Sequence, residues 1–121
     1  MPKILIVDDS PTIRKMIKAS LTSLSAEFGE AGSGLEAIEQ LALKPYDLMI
    51  LDLNMPDMHG LEVASFVRGY DAYKSMPILI LTTRDDNSSK DAAAEISVNY
   101  FMTKPFEPGA LMAKSKELLS S

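Results

Sequence analysis

Short apolar runs alternate five times with longer segments of helical period along this chain. The runs are "ILIV" (4–7), "YDLMILDL" (46–53), "PILILT" (77–82) and "NYFMT" (99–103), with a weaker one at "AEFGEA" (26–31). A short run with no polar face suits a strand covered on both sides, as in a parallel sheet. Between the runs, apolar residues recur at helical spacing. The first stripe is Ile13, Met16, Ile17, Leu21 and Leu24, and the second is Leu35, Ile38, Leu41 and Ala42. The third is Leu61, Ala64 and Val67, a fourth segment covers 87–96, and the last carries Leu111, Leu118 and Leu119. Ser10 suits the N-cap of the first helix and Pro11 its first turn. "GSG" opens the second helix and Pro45 lies just past its end. Strict β-α alternation predicts an α/β layer fold with right-handed crossovers. With 121 residues and a last helix ending in "LLSS", residues 1–121 are expected to form one domain.

Bulk properties remove several function classes. At 46% apolar residues the chain can build a core, which argues against disorder. It has no cysteine, so disulfide frameworks, thiolate metal sites and cysteine nucleophiles are excluded. A net charge of -5 disfavours direct nucleic-acid binding, which needs clustered Lys and Arg. No run approaches the roughly 20 apolar residues of a membrane span, and the N-terminus does not read as a signal peptide. The expectation is a soluble, cytoplasmic protein without membrane insertion.

In an open parallel sheet, function gathers at the carboxyl ends of the strands. The first strand ends in Asp8 and Asp9, the third in Asp52, the fourth in Thr82 and the fifth in Lys104. Aligned strands would bring three carboxylates, a hydroxyl and one ammonium to one edge. Like charges about 4 Å apart repel by on the order of 4 kcal/mol at an effective dielectric near 20. The surplus of negative charge calls for a proton or a cation, and an all-oxygen, partly hydrated site is what Mg²⁺ prefers. The plainer alternative is that Asp8 or Asp9 only caps the first helix, but Asp52 and Lys104 at matching strand ends favour a metal site. A metal beside a carboxylate suits phosphoryl transfer. Asp52 would be the nucleophile forming an acyl phosphate, with Lys104 and Thr82 on phosphoryl oxygens. No phosphate-cradling glycine loop is present.

"VDDS", "LDLNMPDMHG", "ILTT" and "KPF", in this order across the whole chain, resemble the receiver domain of bacterial two-component response regulators. Each motif alone is weak and the set is specific; the absence of an output domain makes the stand-alone, CheY-like type the nearest match. The resemblance implies a flavodoxin-like (βα)5 doubly wound parallel sheet of strand order 2-1-3-4-5. It implies a chemotaxis-like phosphorelay in which Asp52 accepts a phosphoryl group from a sensor histidine kinase, or from a small donor such as acetyl phosphate. Asp9 and Asp52 would ligate Mg²⁺ directly, Asp8 mostly through water, and Asn54 through its backbone carbonyl. Lys104 would contact the phosphoryl group and Lys104–Pro105 would be cis. Thr82 would then move toward the phosphoryl group and Phe101 would turn inward. That switch would reshape the face of helix four, strand five and helix five, with Lys90, Phe101 and Lys114 as candidates, for a downstream target protein. The implied protein is a monomer or a weak phosphorylation-dependent dimer. It is no turnover enzyme: self-phosphorylation and slow loss of the group are its only chemistry.

Several positions depart from the family pattern. Phe101 stands where Tyr is common and lacks the hydroxyl. Thr83 follows Thr82 where Ala is common, and Asn54 and Arg84 occupy positions that tune access of water. Ser97 replaces a glycine, which leaves the end of the fourth helix unspecified.

Other readings are weaker. A haloacid dehalogenase-type phosphatase would carry its nucleophile on strand one in a "DxD" pattern, which "VDDSPT" does not provide. A flavodoxin-like redox protein would need a glycine- and hydroxyl-rich loop where "DDSPTIR" stands. A binding-only receiver is disfavoured by retention of all five site residues, and a receiver cut from a longer regulator stays open. His59 reads as a solvated loop residue and Asp57 as a turn or cap residue. Asp85–Asp86 and Ser88–Ser89 read as the loop and cap of the fourth helix, and the methionines as core filler.

Overall fold

The computed structural model describes residues 1–83 and 87–120, apart from the side chains at 87 and 88. Strands β1 (Lys3–Val7), β2 (Glu27–Ala31), β3 (Leu48–Leu51), β4 (Ile78–Thr82) and β5 (Tyr100–Thr103) alternate with five helices. The helices are α1 (Pro11–Ser20), α2 (Gly34–Leu43), α3 (Gly60–Gly69), α4 (Asn87–Glu95) and α5 (Pro108–Ser120). All ladders are parallel and the order is β2-β1-β3-β4-β5. The α/β layer fold predicted from the β-α alternation and the doubly wound strand order implied by the family resemblance are the ones observed.

Successive side chains of a strand point to opposite faces, so each continuous apolar run feeds two cores. Leu5, Val7, Met49, Leu51, Ile78 and Ile80 pack with Ala37, Leu41, Val63, Val67 and Ala93 of α2, α3 and α4. Their neighbours Ile4, Ile6, Leu48, Ile50, Leu79 and Leu81 pack with Ile17, Leu21, Leu111 and Leu118 from the α1 and α5 side. Each such side chain contributes about 1.5–3 kcal/mol on full burial. A polar residue in the middle of these runs would break both strand and core.

Local signals set the helix ends. Ser10 caps α1, its Oγ accepting from Ile13 N at 3.3 Å, with Pro11 in the first turn. Ser33 caps α2 in the same way, accepting from Glu36 N at 3.1 Å.

Two stripes differ from expectation. Met16 and Leu35 are 49% and 59% exposed, and Ala42 faces solvent. The buried face of α2 is built on Gly34, Ala37 and Leu41 instead. There Met58 lies so close that a Cβ on Gly34 would stand 2.7 Å from its Cβ, so glycine fits that position of the inner face and a larger residue does not. Arg84, Asp85 and Asp86, and the side chain of Ser88, lie outside the described residues. No helix among the described residues is long and apolar enough to cross a membrane.

Candidate functional site at the carboxyl edge of the sheet

Three of the candidate residues stand one step beyond a strand, and each is held there by one further ladder bond. Asp8 N donates to Ala31 O of β2 (3.1 Å), Asp52 N to Val7 O of β1 (2.9 Å) and Lys104 N to Thr82 O of β4 (2.8 Å). The sheet register therefore fixes their relative heights. Gly60 lets α3 begin directly against this edge, because a Cβ there would drive into the Asp52 carbonyl oxygen.

Asp8 and Asp52 are 2% and 5% exposed, Thr82 is buried, and Asp9 is exposed at the rim. One oxygen from each of Asp8, Asp9 and Asp52 lies within 4.8 Å of the others. Lys104 Nζ is 2.6 Å from Asp8 Oδ2 and 3.7 Å from Asp52 Oδ1. The other oxygen of Asp8 accepts from Ser10 N at 2.9 Å. Since Ser10 caps α1, neither aspartate is needed as its cap. Asp52 Oδ1 is buried and accepts no hydrogen bond from the described residues. Burial pushes the Asp52 carboxyl above its ordinary range and Asp8 adds to the rise. The Lys104 ammonium, the Thr82 side chain and the Asn54 backbone N–H act in the opposite direction.

Among the described residues, three carboxylates against one lysine leave the edge short of positive charge, and Asp52 Oδ1 is short of a donor. Both deficits match a hard divalent cation with oxygen ligands such as Mg²⁺. The donor set fits that ion.

The surrounding residues fall as follows. Asn54 is exposed, and its Nδ2 lies 3.4 Å from both Thr82 Oγ1 and Thr83 Oγ1. Thr83 is exposed at the mouth of the site. The Lys104–Pro105 bond is cis. Phe101 is half-buried against the core on the α4 side, with Lys90 Nζ 5.9 Å from its ring centroid. Lys114 Nζ sits 4.3 Å over Tyr100 and bridges α5 to β5. His59 is the N-cap of α3, its Nδ1 accepting from Leu61 N at 3.1 Å, rather than a free loop residue.

Two contacts were not visible in the sequence. Arg14 Nη1 donates to the Asp8 carbonyl while its Nε pairs with Glu30 at 2.9 Å. Asp57 caps a helix, but it is α2, more than 20 residues away: its carboxylate accepts from Gly34 N at 3.0 Å and Leu35 N at 3.1 Å. Those two amides hold it below the ordinary carboxylate range. Neither contact has a residue-type signature, because one partner in each is backbone.

The chain matches the family model described as "Response regulator receiver domain" over residues 4–116. It is 38% identical over 121 residues to a "Chemotaxis protein CheY homolog" of Campylobacter jejuni, covering 98% of this chain and 93% of that one. Among solved structures it resembles the chemotaxis protein CheY4 of Vibrio cholerae, at TM-score 0.90 and 35% identity, with 98% of each chain covered. It also resembles the response regulator TrrA of Thermotoga maritima, solved in complex with Mg²⁺-BeF. That match has TM-score 0.86 and 35% identity, covering 98% of this chain and 99% of the other. With the fold, the acidic edge and these relatives agreeing, the chain belongs to the receiver domains of two-component response regulators and is CheY-like.

Proposed function

We propose that the chain is a phosphoacceptor switch in which Asp52 takes a phosphoryl group from a phosphohistidine of a sensor histidine kinase. The observation that carries this reading is the buried, unpartnered Asp52 Oδ1 facing Lys104 at 3.7 Å. The under-paired carboxylate keeps its electron pairs for a cation and a phosphoryl group rather than for protein donors. In the step, an Asp52 carboxylate oxygen forms the new P–O bond as the P–N bond to the kinase imidazole breaks. That imidazole leaves with the bonding pair and takes a proton from solvent. Lys104 already spans Asp8 and Asp52, so a small swing puts its charge on a phosphoryl oxygen. Thr82, buried next to Asp52, donates its hydroxyl to another.

Asp9, Asp52 and the Asn54 carbonyl are the proposed direct ligands of Mg²⁺. Asp8 acts through water, because Ser10 N and Lys104 Nζ already occupy its two oxygens. When bound, the ion supplies charge neutralisation for the phosphoryl oxygens in the transition state. A relative solved with Mg²⁺-BeF supports this assignment.

The output is the face of α4, β5 and α5. Movement of Thr82 toward the phosphoryl group opens space for Phe101, which is half-buried and poised to go further in. Phe101 brings no hydroxyl, so the face it shapes for a target protein is read by packing and by Lys90 and Lys114. Phosphorylation biases a two-state element.

Intact mass after incubation with Mg²⁺ and acetyl phosphate tests the assignment. The wild type gains one phosphoryl group, Asp52→Asn gains none, and EDTA added beforehand prevents the gain. Equal gain in both proteins would place the acceptor elsewhere. Repeated release of phosphate from added esters would make the protein a phosphatase instead.

A further inference from the structure

We infer that Asp57 is a positioning residue that braces the metal-binding loop on the start of α2 and so sets Mg²⁺ affinity. The inference rests on the site reading just proposed.

Residues 52–59 link β3 to α3 and carry Asp52 and Asn54. The loop is pinned at both ends, by Asp52 N on Val7 O and by Gly60 N on Leu53 O, each at 2.9 Å. Between these pins, the Asn54 side chain has only long contacts of 3.4 Å. The middle is held by Met55 packed against the core, by Met58 packed on Gly34, and by Asp57, which supplies the loop's polar tie by spending both carboxylate oxygens on the first two amides of α2.

Helix α2 does not depend on this contact for its cap. Ser33 accepts from Glu36 N, and Glu36 Oε2 accepts from Gly32 N at 2.9 Å. The Leu35 amide is exposed at a helix end that water reaches, so of the two amides only the buried Gly34 N–H depends on Asp57. What Asp57 adds is therefore a constraint on the loop.

The brace also joins the two arms of the acidic site. Residues 32–33 lead from β2 into α2, and Ala31 O receives the N–H of Asp8. A closed circuit results, from Asp8 through Ala31 to the start of α2, across Asp57 to Asn54 and Asp52, and back through Val7 to β1. With the circuit intact, the Asn54 carbonyl and the carboxylates are already at fixed spacing. With it open, binding a cation must order the loop, and affinity falls.

Titration of the full chain with Mg²⁺ alone, followed by calorimetry, tests the brace. Asp57→Ala weakens Mg²⁺ binding about tenfold, at the lower end of what outer-sphere partners of a metal site contribute. Asp57→Asn, which keeps one acceptor, falls between that variant and the wild type. Ser33→Ala, which removes a cap from the same helix without touching the loop, binds Mg²⁺ like the wild type. At saturating Mg²⁺ all of them take the phosphoryl group from acetyl phosphate at nearly the wild-type rate. Wild-type affinity in Asp57→Ala, or equal weakening in Ser33→Ala, would overturn the brace. Equal weakening in Asp57→Asn and Asp57→Ala would reduce the effect to lost charge and overturn it as well. A wild type that takes up no Mg²⁺ would overturn the site reading and the brace together, which separates the two failures.

Discussion

The two edges of the sheet treat their polar groups in opposite ways. At the amino edge, Arg68 at the end of α3 has five N–H donors and uses them all. Nε donates to Ser97 O (3.3 Å), Nη1 to Lys74 O (3.1 Å) and Met76 O (2.7 Å), and Nη2 to Ser97 O (3.1 Å) and Asn99 Oδ1 (3.0 Å). Asn99 Oδ1 also receives Ile78 N at 2.9 Å. At the carboxyl edge, among the described residues, three carboxylates share one lysine, and Asp52 Oδ1 accepts no hydrogen bond. At Arg68 the polarity that ties elements together is saturated. At Asp52, beside two other carboxylates, the polarity left open is an invitation to a ligand, because an unmet buried acceptor costs about 1–3 kcal/mol.

The largest test of this contrast removes the saturated cation. Arg68→Ala takes away all five bonds and unties the α3–β4 connection from the α4–β5 connection. Loss of charged hydrogen bonds, softened by water reaching the freed carbonyls, predicts destabilisation of about 2–4 kcal/mol in urea unfolding. The variant should still take the phosphoryl group from acetyl phosphate at the wild-type rate below its unfolding midpoint. An unchanged midpoint with phosphorylation lost would break the comparison.

The mirror test is Asp52→Asn, which loses phosphorylation yet should be more stable by about 1 kcal/mol near neutral pH, since it relieves a buried, under-paired charge. The sign of the pH dependence follows from burial. The folded Asp52 carboxyl lies above its ordinary value, so the native state holds its proton to higher pH than the unfolded chain does. Its contribution to stability is present below the unfolded value and is lost as pH rises through the folded one. The stability gap between Asp52→Asn and the wild type should therefore be near zero in acid, open as pH rises and then level off. Denaturant midpoints measured across that range without divalent cations check it. A gap that closes as pH rises would mean that Lys104 outweighs burial.

How much of this contrast could be read in the sequence differs by edge. The carboxyl edge was legible. Asp8, Asp9, Asp52, Thr82 and Lys104 follow directly on apolar runs, and strand ends are where a parallel sheet gathers function. The runs were legible because burial on both faces leaves no polar alternation. The amino edge was not: Arg68 reads as one more helix-surface cation, and four of its five bonds go to main-chain carbonyls that have no residue signature. Asp57 was legible as a cap but not as the cap of α2, for the same reason. Met16 and Leu35 misled because helical spacing fixes a stripe only to within one position. On α2 the tight approach of Met58 selects Gly34 over the larger Leu35 for the inner face. Strand β3 is shorter than its apolar run because Asp52 and Leu53 already belong to the turn that Gly60 closes.

The smallest effect tests why the amino edge tolerates strain. Ser97 has φ 64°, a left-handed conformation that glycine adopts freely and serine does not. It ends α4 as a Schellman motif, with Ser97 N on Ala94 O at 3.0 Å and Val98 N on Ala93 O at 3.1 Å. The missing glycine therefore does not change how α4 ends; it adds strain at an end that other bonds hold. Ser97→Gly should stabilise by about 0.5 kcal/mol, the relief of a Cβ clash being partly offset by the greater freedom of glycine in the unfolded chain. Two of the bonds holding Ser97 come from Arg68, so the gain should depend on Arg68. With Arg68→Ala in place the corner is free to relax, and Ser97→Gly should gain less than it does in the wild type. A double-mutant cycle by urea unfolding measures that difference. Equal gains in both backgrounds would mean that the Schellman bonds alone impose the strained turn, and that the saturated edge ties the two connections together without shaping either.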